Sequence, residues 1–180
     1  LIIVFPWKLP VELSTISYFI VPAIVLFNIK SLHVWGVYTS IFIGSIYYLA
    51  MILIGNFLYA DYPTYSVLTS IFNHGTLLLY AYVTLHTTKF EKSENAIVWI
   101  GLLFSSAWAL SLKAQANFSI RIFVYVVLDA ELITTYFSDN LTTGYIIYYT
   151  LLIIFLLLSA NLVLILNKKL YLRHLPKQKA

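Results

Sequence analysis

Residues 144–167 read GYIIYYTLLIIFLLLSANLVLILN, a run without a charged side chain. About 20 apolar residues in an α-helix cross the hydrocarbon core of a bilayer, so this run predicts a transmembrane helix. The whole chain is similarly apolar, because 61% of the 180 residues are hydrophobic and only 10% are charged. Soluble domains carry about 25% charged residues. This composition, with a mean hydropathy of +0.88, excludes an ordinary soluble globule and a disordered chain and indicates a polytopic membrane protein.

Five apolar runs of near-spanning length are separated by short polar segments. They predict helices at about 12–28, 34–58, 65–86, 96–112 and 144–167. The apolar stretch 1–7 is too short to span, and we interpret it as the end of an upstream helix. The predicted fold class is an all-α transmembrane bundle of five full spans, a partial N-terminal helix and one re-entrant or amphipathic segment. Residues 1–167 would form a single transmembrane domain, and residues 168–180 a basic cytoplasmic tail.

The charge distribution supports a membrane-side anchor rather than a nucleic-acid surface. Five of the eleven Lys and Arg residues lie in the last 13 positions: Lys168, Lys169, Arg173, Lys177 and Lys179. Basic residues that follow an apolar run favour the cytoplasmic side, so we expect a cytoplasmic C-terminus and no nucleic-acid partner. The absence of cysteine excludes disulfides, thiol catalysis and Cys-based zinc sites.

The interval from Ala114 to Thr143 allows two topologies. It is apolar enough for a helix but contains Arg121, Asp129 and Glu131, and a charge at mid-membrane costs about 2.5–3.5 kcal/mol. If the interval spans, its acids must be protonated, paired or turned towards a cavity. If it is re-entrant, Lys30, Lys89 and Lys92 fall on the same side as the basic tail, and this charge placement favours the re-entrant form.

His74 is the main candidate for chemistry. It lies deep inside the predicted helix 65–86, beside Asn73 and Gly75, and an ionisable side chain at that depth indicates a functional site. The alternative is a neutral structural histidine bonded within its own helix. Ser14, in the first turn of the first helix, could act as a nucleophile if His74 lay within reach, with Glu12 as an orienting group. The alternative is purely structural: the residues of this turn begin and cap the helix and carry no chemistry.

Other patterns indicate packing rather than chemistry. The series Gly36, Ser40 and Gly44 has the small-residue spacing that brings helices close together. Tyrosines inside the predicted spans need partners for their hydroxyls, for which interhelical hydrogen bonds are the simplest source. No Walker A, GxGxxG or HExxH motif occurs, and we predict neither a cofactor nor a metal site.

Several short motifs resemble the YwaF-like bacterial membrane proteins, whose eukaryotic relatives are polytopic phospholipid acyltransferases. The stretch 9–14 is similar to the family's Leu-Pro-x-x-Leu-Cys motif, with Ser14 at the Cys position. His74-Gly75 is similar to its intramembrane His-Gly, the stretch 34–36 to its aromatic-Trp-Gly helix start, and Asn117-Phe118 to its Asn-aromatic element. The family's Pro before the last helix is missing. The resemblance implies a bacterial cell-membrane protein in which the interval 114–143 is not a simple span.

Three functions follow as hypotheses. The first is an acyltransferase-like site acting on lipid acyl groups, with Ser14 as acyl acceptor, His74 as general base, and Glu12 or Asn73 as orienting group. The second is a non-enzymatic substrate-binding or scaffold subunit of a larger membrane complex such as a transporter. The third is an ion or proton path through His74, Asp129 and Glu131. The expected partners are membrane lipids and, in the second case, other membrane subunits.

Overall fold

The computed structural model describes residues 13–58, 60, 62–116, 122–123, 126–127 and 130–174. Its helices are α1 (Leu13–Leu26), α2 (His33–Leu58), α3 (Thr64–Thr87), α4 (Asn95–Ala116), α5 (Ala130–Tyr136) and α6 (Leu141–His174). Short 3-10 turns, Lys30–Leu32 and Lys92–Glu94, precede α2 and α4. A minimal antiparallel hairpin joins β1 (Ile122–Phe123) to β2 (Val126–Val127). The predicted all-α class is thus confirmed, and each of the five predicted helices corresponds to one observed helix.

The largest difference in helix bounds is at the end of α6. The sequence predicted a tail from Lys168 onwards, whereas the helix continues to His174. Lys, Leu and Arg are good helix formers, and the first proline of the tail is Pro176. The start of the basic segment is therefore a rigid continuation of α6.

The bundle is built around α2 and α3. Residues 34–40 of α2 are buried on every side, as expected of a central helix. The small residues of α2 lie where α3 approaches: a Cβ at Gly36 would be 2.8 Å from the Tyr80 hydroxyl, and one at Gly44 would collide with Leu78. The packing role predicted for this series is confirmed at both glycines.

A second close approach joins α2 to α4. The indole of Trp35, 3% exposed, lies directly against the backbone of Gly101, where a Cβ would overlap the ring. Only glycine leaves this space, because any side chain would have to displace a buried aromatic ring. The pair therefore determines how closely α4 can approach the core.

Asn167 fixes the position of α6 against the end of α3. This side chain is 1% exposed. Its Nδ2 donates to the carbonyl oxygens of Leu85 at 3.0 Å and Thr88 at 2.7 Å, and its Oδ1 accepts from the Phe90 amide at 2.8 Å. Terminal helix carbonyls lack partners within their own helix, so Asn167 caps α3 from a neighbouring helix. The C-terminal ends of α3 and α6 consequently lie at the same end of the bundle.

That end also collects the basic side chains. The α2 start lies there too, since the Tyr80 hydroxyl and His33 Nδ1 are 2.9 Å apart. We call it the basic end, because it carries the cations Lys30, Lys89, Lys92, Lys168, Lys169 and Arg173. Glu131 and Asp139, both exposed, belong to the segments at the opposite end.

The described part of the interval 114–143 contains the hairpin and the seven-residue α5, but no helix of spanning length. Ile133 of α5 is fully buried against α6, where its Cγ2 would be 2.6 Å from a Cβ at Gly144. Arg121 and Asp129 lie outside the described residues. In its described residues, the segment that links α4 to α6 thus contains only short elements, and its re-entrant placement stays a prediction.

Much of the outer surface is apolar. Among the described residues, more large hydrophobic side chains are exposed than buried, and Ile52 of α2 reaches 80%. Two helical segments are long and apolar enough to cross a bilayer, Lys30–Gly55 with a mean hydropathy of 1.9 and Leu141–Arg173 with 2.6. The described part of α1 is apolar but shorter. The structure thus supports membrane association at the level of these two helices, which is fewer than the five spans predicted.

Candidate functional site

His74 lies near the middle of α3 and is 7% exposed. The helix continues through the neighbouring Gly75, where a Cβ would be 2.9 Å from the Tyr48 hydroxyl. That hydroxyl donates to the carbonyl oxygen of Ile71 at 2.8 Å. The interhelical hydrogen bond predicted for such tyrosines is found here, and it holds α2 close to α3 beside the histidine.

The hydrogen bonds of His74 define the state of its ring. Nδ1 lies 2.7 Å from the carbonyl oxygen of Ser70, and a carbonyl can only accept, so Nδ1 is the donor. In the neutral ring, Nε2 is then the acceptor. The Tyr18 hydroxyl of α1 lies 2.9 Å from Nδ1 and 3.1 Å from Nε2; because Nδ1 donates to Ser70, the hydroxyl donates to the acceptor Nε2. The ring is therefore bonded both to its own helix and to α1.

Two tyrosine rings enclose the imidazole. Tyr47 of α2 stacks on it in parallel, with ring centroids 3.6 Å apart and an angle of 7°. Tyr18 meets it at 87° with a centroid distance of 5.6 Å. The contacts on three helices restrict both the position and the rotation of the ring. His74 is thus held in one orientation within the core.

The residues predicted to act with His74 lie in different places. Ser14 occupies the first turn of α1, one helical turn and about 6 Å before Tyr18 on the same face. Glu12 lies outside the described residues. Asn73 faces a cleft rather than the imidazole, and the group that orients the His74 ring is the Ser70 carbonyl.

Sequence reasoning missed Tyr18. The signal available was its position four residues after Ser14, which places an aromatic hydroxyl on the same face of α1. Tyr18 and His74 are 56 positions apart in the sequence, and their contact depends on the register between α1 and α3. Neither helix alone predicts that register. The structure therefore adds Tyr18 and Tyr47 to the surroundings of the predicted histidine.

An open cleft of about 430 Å³ separates α1 from α3. Its volume lies within the usual range of small-ligand sites. Apolar side chains of α1 form one wall, and α3 supplies the polar groups of the other: Val21, Pro22 and Val25 face Asn73, Thr76 and Tyr80. A mainly apolar lining with a few polar groups suits an amphipathic or hydrocarbon ligand.

The polar groups of this α1–α3 cleft differ in whether they are already bonded. The Thr76 hydroxyl donates to the Phe72 carbonyl at 2.9 Å, and the Tyr80 hydroxyl is paired with His33. The side-chain amide of Asn73 has no hydrogen bond to any part of the chain that the structure describes. Asn73 is therefore the polar group of the cleft that remains available to a ligand.

Tyr18 connects the cleft with His74, since its side chain lines the cleft while its hydroxyl reaches the imidazole. A ligand in the cleft would contact the Tyr18 ring and not the histidine itself. Within the described ranges, no three His, Asp or Glu residues are grouped so that they could hold a metal ion. The site thus consists of an apolar cleft, one available amide, and a tyrosine whose hydroxyl bonds a buried histidine.

Comparison with known proteins does not link this chain to a known family. No family model, curated protein or solved structure matches the chain.

Proposed function

We propose that the chain is an integral membrane protein that binds the acyl chain of a membrane lipid in the α1–α3 cleft. The observation that carries this proposal is an open, mainly apolar cleft containing the available Asn73 amide halfway along α3. At that depth a ligand comes from the bilayer, because water is excluded from the hydrocarbon core. A lipid chain would fill the apolar wall, and an ester or hydroxyl group would accept or donate a hydrogen bond at Asn73.

Membrane embedding is supported by the exposed apolar side chains. Soluble monomers seldom expose apolar patches larger than a few hundred Å². Here exposed Leu and Ile residues follow α6 along most of its length, including Leu151, Leu158 and Leu162. Lipid chains solvate such a surface at no hydrophobic cost. In this proposal α1 to α4 and α6 all cross the bilayer, in a bacterial cell membrane.

The orientation follows from the basic end. All six Lys and Arg residues whose side chains the structure describes belong to it, and basic residues favour the cytoplasmic side. The basic end would therefore face the cytoplasm, with the C-terminus on that side. The segment from α4 to α6 would lie at the outer face.

Photocrosslinking tests this proposal. The purified chain is reconstituted into nanodiscs that contain a phospholipid with a photoreactive diazirine in its acyl chain, and the labelled peptides are mapped by mass spectrometry. We expect labelling at the cleft walls on α1 and α3 well above that of the exposed α6 surface. Thr76→Trp fills the cleft and should remove the excess. Phe72→Trp, at an exposed position of the same helix, is the matched control and should not.

Uniform labelling of every apolar surface, unchanged by Thr76→Trp, would refute a specific lipid site. Release of the chain from membranes by alkaline carbonate would refute membrane embedding itself. Crosslinking of the cleft to a second protein in native membranes would instead favour a subunit of a larger complex.

A second candidate function is acyl transfer, favoured by the acceptor Nε2 of His74 facing α1. In this reaction the Ser14 hydroxyl attacks the ester carbonyl of a phospholipid while His74 Nε2 takes its proton. A new ester bond forms between the acyl group and the Ser14 oxygen, the ester bond of the phospholipid breaks, and the lysophospholipid alkoxide leaves with that proton. The Tyr18 hydroxyl must move aside or relay the proton, since it occupies Nε2 in this structure.

The acyl-transfer candidate has its own matched pair of variants. His74→Ala should abolish transfer of a radiolabelled acyl group from phospholipid. His86→Ala should not, although His86 is on the same helix and makes the same kind of bond, from Nδ1 to the Tyr82 carbonyl at 2.7 Å. Equal transfer by both variants would reject catalysis by His74 and leave the binding function standing.

A further inference from the structure

Part of the basic end carries exposed cations on both the α3–α4 loop and α6. Lys89 and Lys92 come from the loop, and Lys168, Lys169 and Arg173 from the last turns of α6, and all five are exposed. Lys169 and Arg173 are four residues apart and so lie on one face of the helix. We call these five residues the cationic surface.

Asn167 holds the two halves of this surface together. Its side chain bonds the Thr88 carbonyl and the Phe90 amide, the residues on either side of Lys89. Lys168 directly follows Asn167 on α6. Buried hydrogen bonds therefore hold the backbone around Lys89 close to the backbone around Lys168, although 79 positions separate Thr88 from Asn167.

The acidic residues of the loop are engaged elsewhere. Glu91 and Glu94 form a reciprocal capping box around the turn before α4, in which Glu94 Oε2 accepts from the Glu91 amide at 2.6 Å. No ion pair joins them to the five cations in the portion of the chain that the structure describes. The cationic surface thus has five positive charges, and the two carboxylates of the loop are already hydrogen-bonded to backbone amides.

We propose that the cationic surface binds the phosphate of an anionic phospholipid in the leaflet at the basic end. Lysine ammonium groups bind phosphate as point charges, and Arg173 adds a fork of donors. The surface begins where α6 leaves its apolar run, which is the level of lipid headgroups. A lipid phosphate is preferred to a free one, because the apolar sides of α3 and α6 below the surface accommodate its chains. This inference rests on the membrane placement proposed above.

The test uses the full chain in nanodiscs of phosphatidylcholine with a minor fraction of phosphatidylglycerol. The lipids that remain bound after gentle detergent extraction are counted by native mass spectrometry. We expect enrichment of phosphatidylglycerol over its fraction in the bilayer. Each removed cation should weaken this enrichment by up to about fivefold. The triple variant Lys89→Gln, Lys168→Gln, Lys169→Gln should therefore lose most of it. Lys30→Gln, on the other loop of the basic end, is the matched control for the single variant Lys168→Gln and should keep more of the enrichment.

Each outcome has a defined meaning. Unchanged enrichment in the triple variant overturns the proposal, as does displacement of the lipid by inorganic phosphate at matched ionic strength, which would indicate a free-phosphate site. A triple variant that keeps its thermal midpoint but loses phosphatidylglycerol supports it. A chain that stays in the nanodisc with no lipid preference rejects this inference alone, whereas a chain that does not remain in the bilayer overturns both it and the proposed membrane function.

Discussion

Replacing Asn167 by alanine should destabilise the bundle at its basic end. The change removes three hydrogen bonds of a nearly inaccessible side chain and leaves the carbonyls of Leu85 and Thr88 and the amide of Phe90 without that partner. At roughly 0.6–1 kcal/mol for each bond, the expected loss is about 2–3 kcal/mol. For a chain of this size the midpoint of thermal unfolding should fall by roughly 4–12 °C.

The assay is thermal unfolding in detergent followed by intrinsic fluorescence, with Asn161→Ala as the matched control. Asn161 is on the same helix but exposed: its Nδ2 donates to the Leu157 carbonyl of its own preceding turn, and its Oδ1 accepts one long, exposed bond of 3.4 Å from Asn95 Nδ2 of α4. We expect a shift of at most a few degrees for the control. Equal midpoints for the two variants would show that the interhelical bonds of Asn167 contribute nothing measurable, and the proposed attachment of α6 to α3 would be refuted.

Two further changes test the core. Gly101→Val should destabilise the bundle by about 1–3 kcal/mol, because the new side chain displaces the Trp35 indole. Gly55→Val is the control and should be tolerated, since its Cβ would meet only a flexible side chain at 3.7 Å. A lower thermal midpoint for Gly55→Val than for Gly101→Val would contradict the packing. Tyr18→Phe should cost about 0.5–1.5 kcal/mol and shift the ¹⁵N resonance of His74 Nε2, because that nitrogen loses its donor. An unchanged resonance would show that the Tyr18 hydroxyl does not bond the ring.

The helices were predictable because hydropathy is a local property. The bounds of α2 and α3 follow from apolar runs ended by charged or proline residues, and the packing face of α2 follows from its spaced glycines. The end of α6 was not found, since the first basic residues after an apolar run continue the helix as readily as they end it. Local patterns thus determine the elements but not all of their limits.

The partners of the polar side chains were beyond local reasoning. His74 could be selected as a buried ionisable group, but its contact with Tyr18 depends on how far α1 is shifted along α3. Asn167 was overlooked for the same reason, because its bond to Phe90 crosses 77 residues. In a bundle, the register between helices results from the packing of all of them together, so a single polar residue does not reveal its partner.

The length of α6 has a mechanical consequence. Its 34 residues make a rod of about 51 Å, whereas the hydrocarbon layer is roughly 30 Å thick. In the proposed membrane placement, an upright α6 would extend about 20 Å beyond that layer, and tilting would shorten this overhang. Because Asn167 attaches α6 to α3 near the point where α6 leaves its apolar run, a force on the protruding segment would act directly on the C-terminal end of α3.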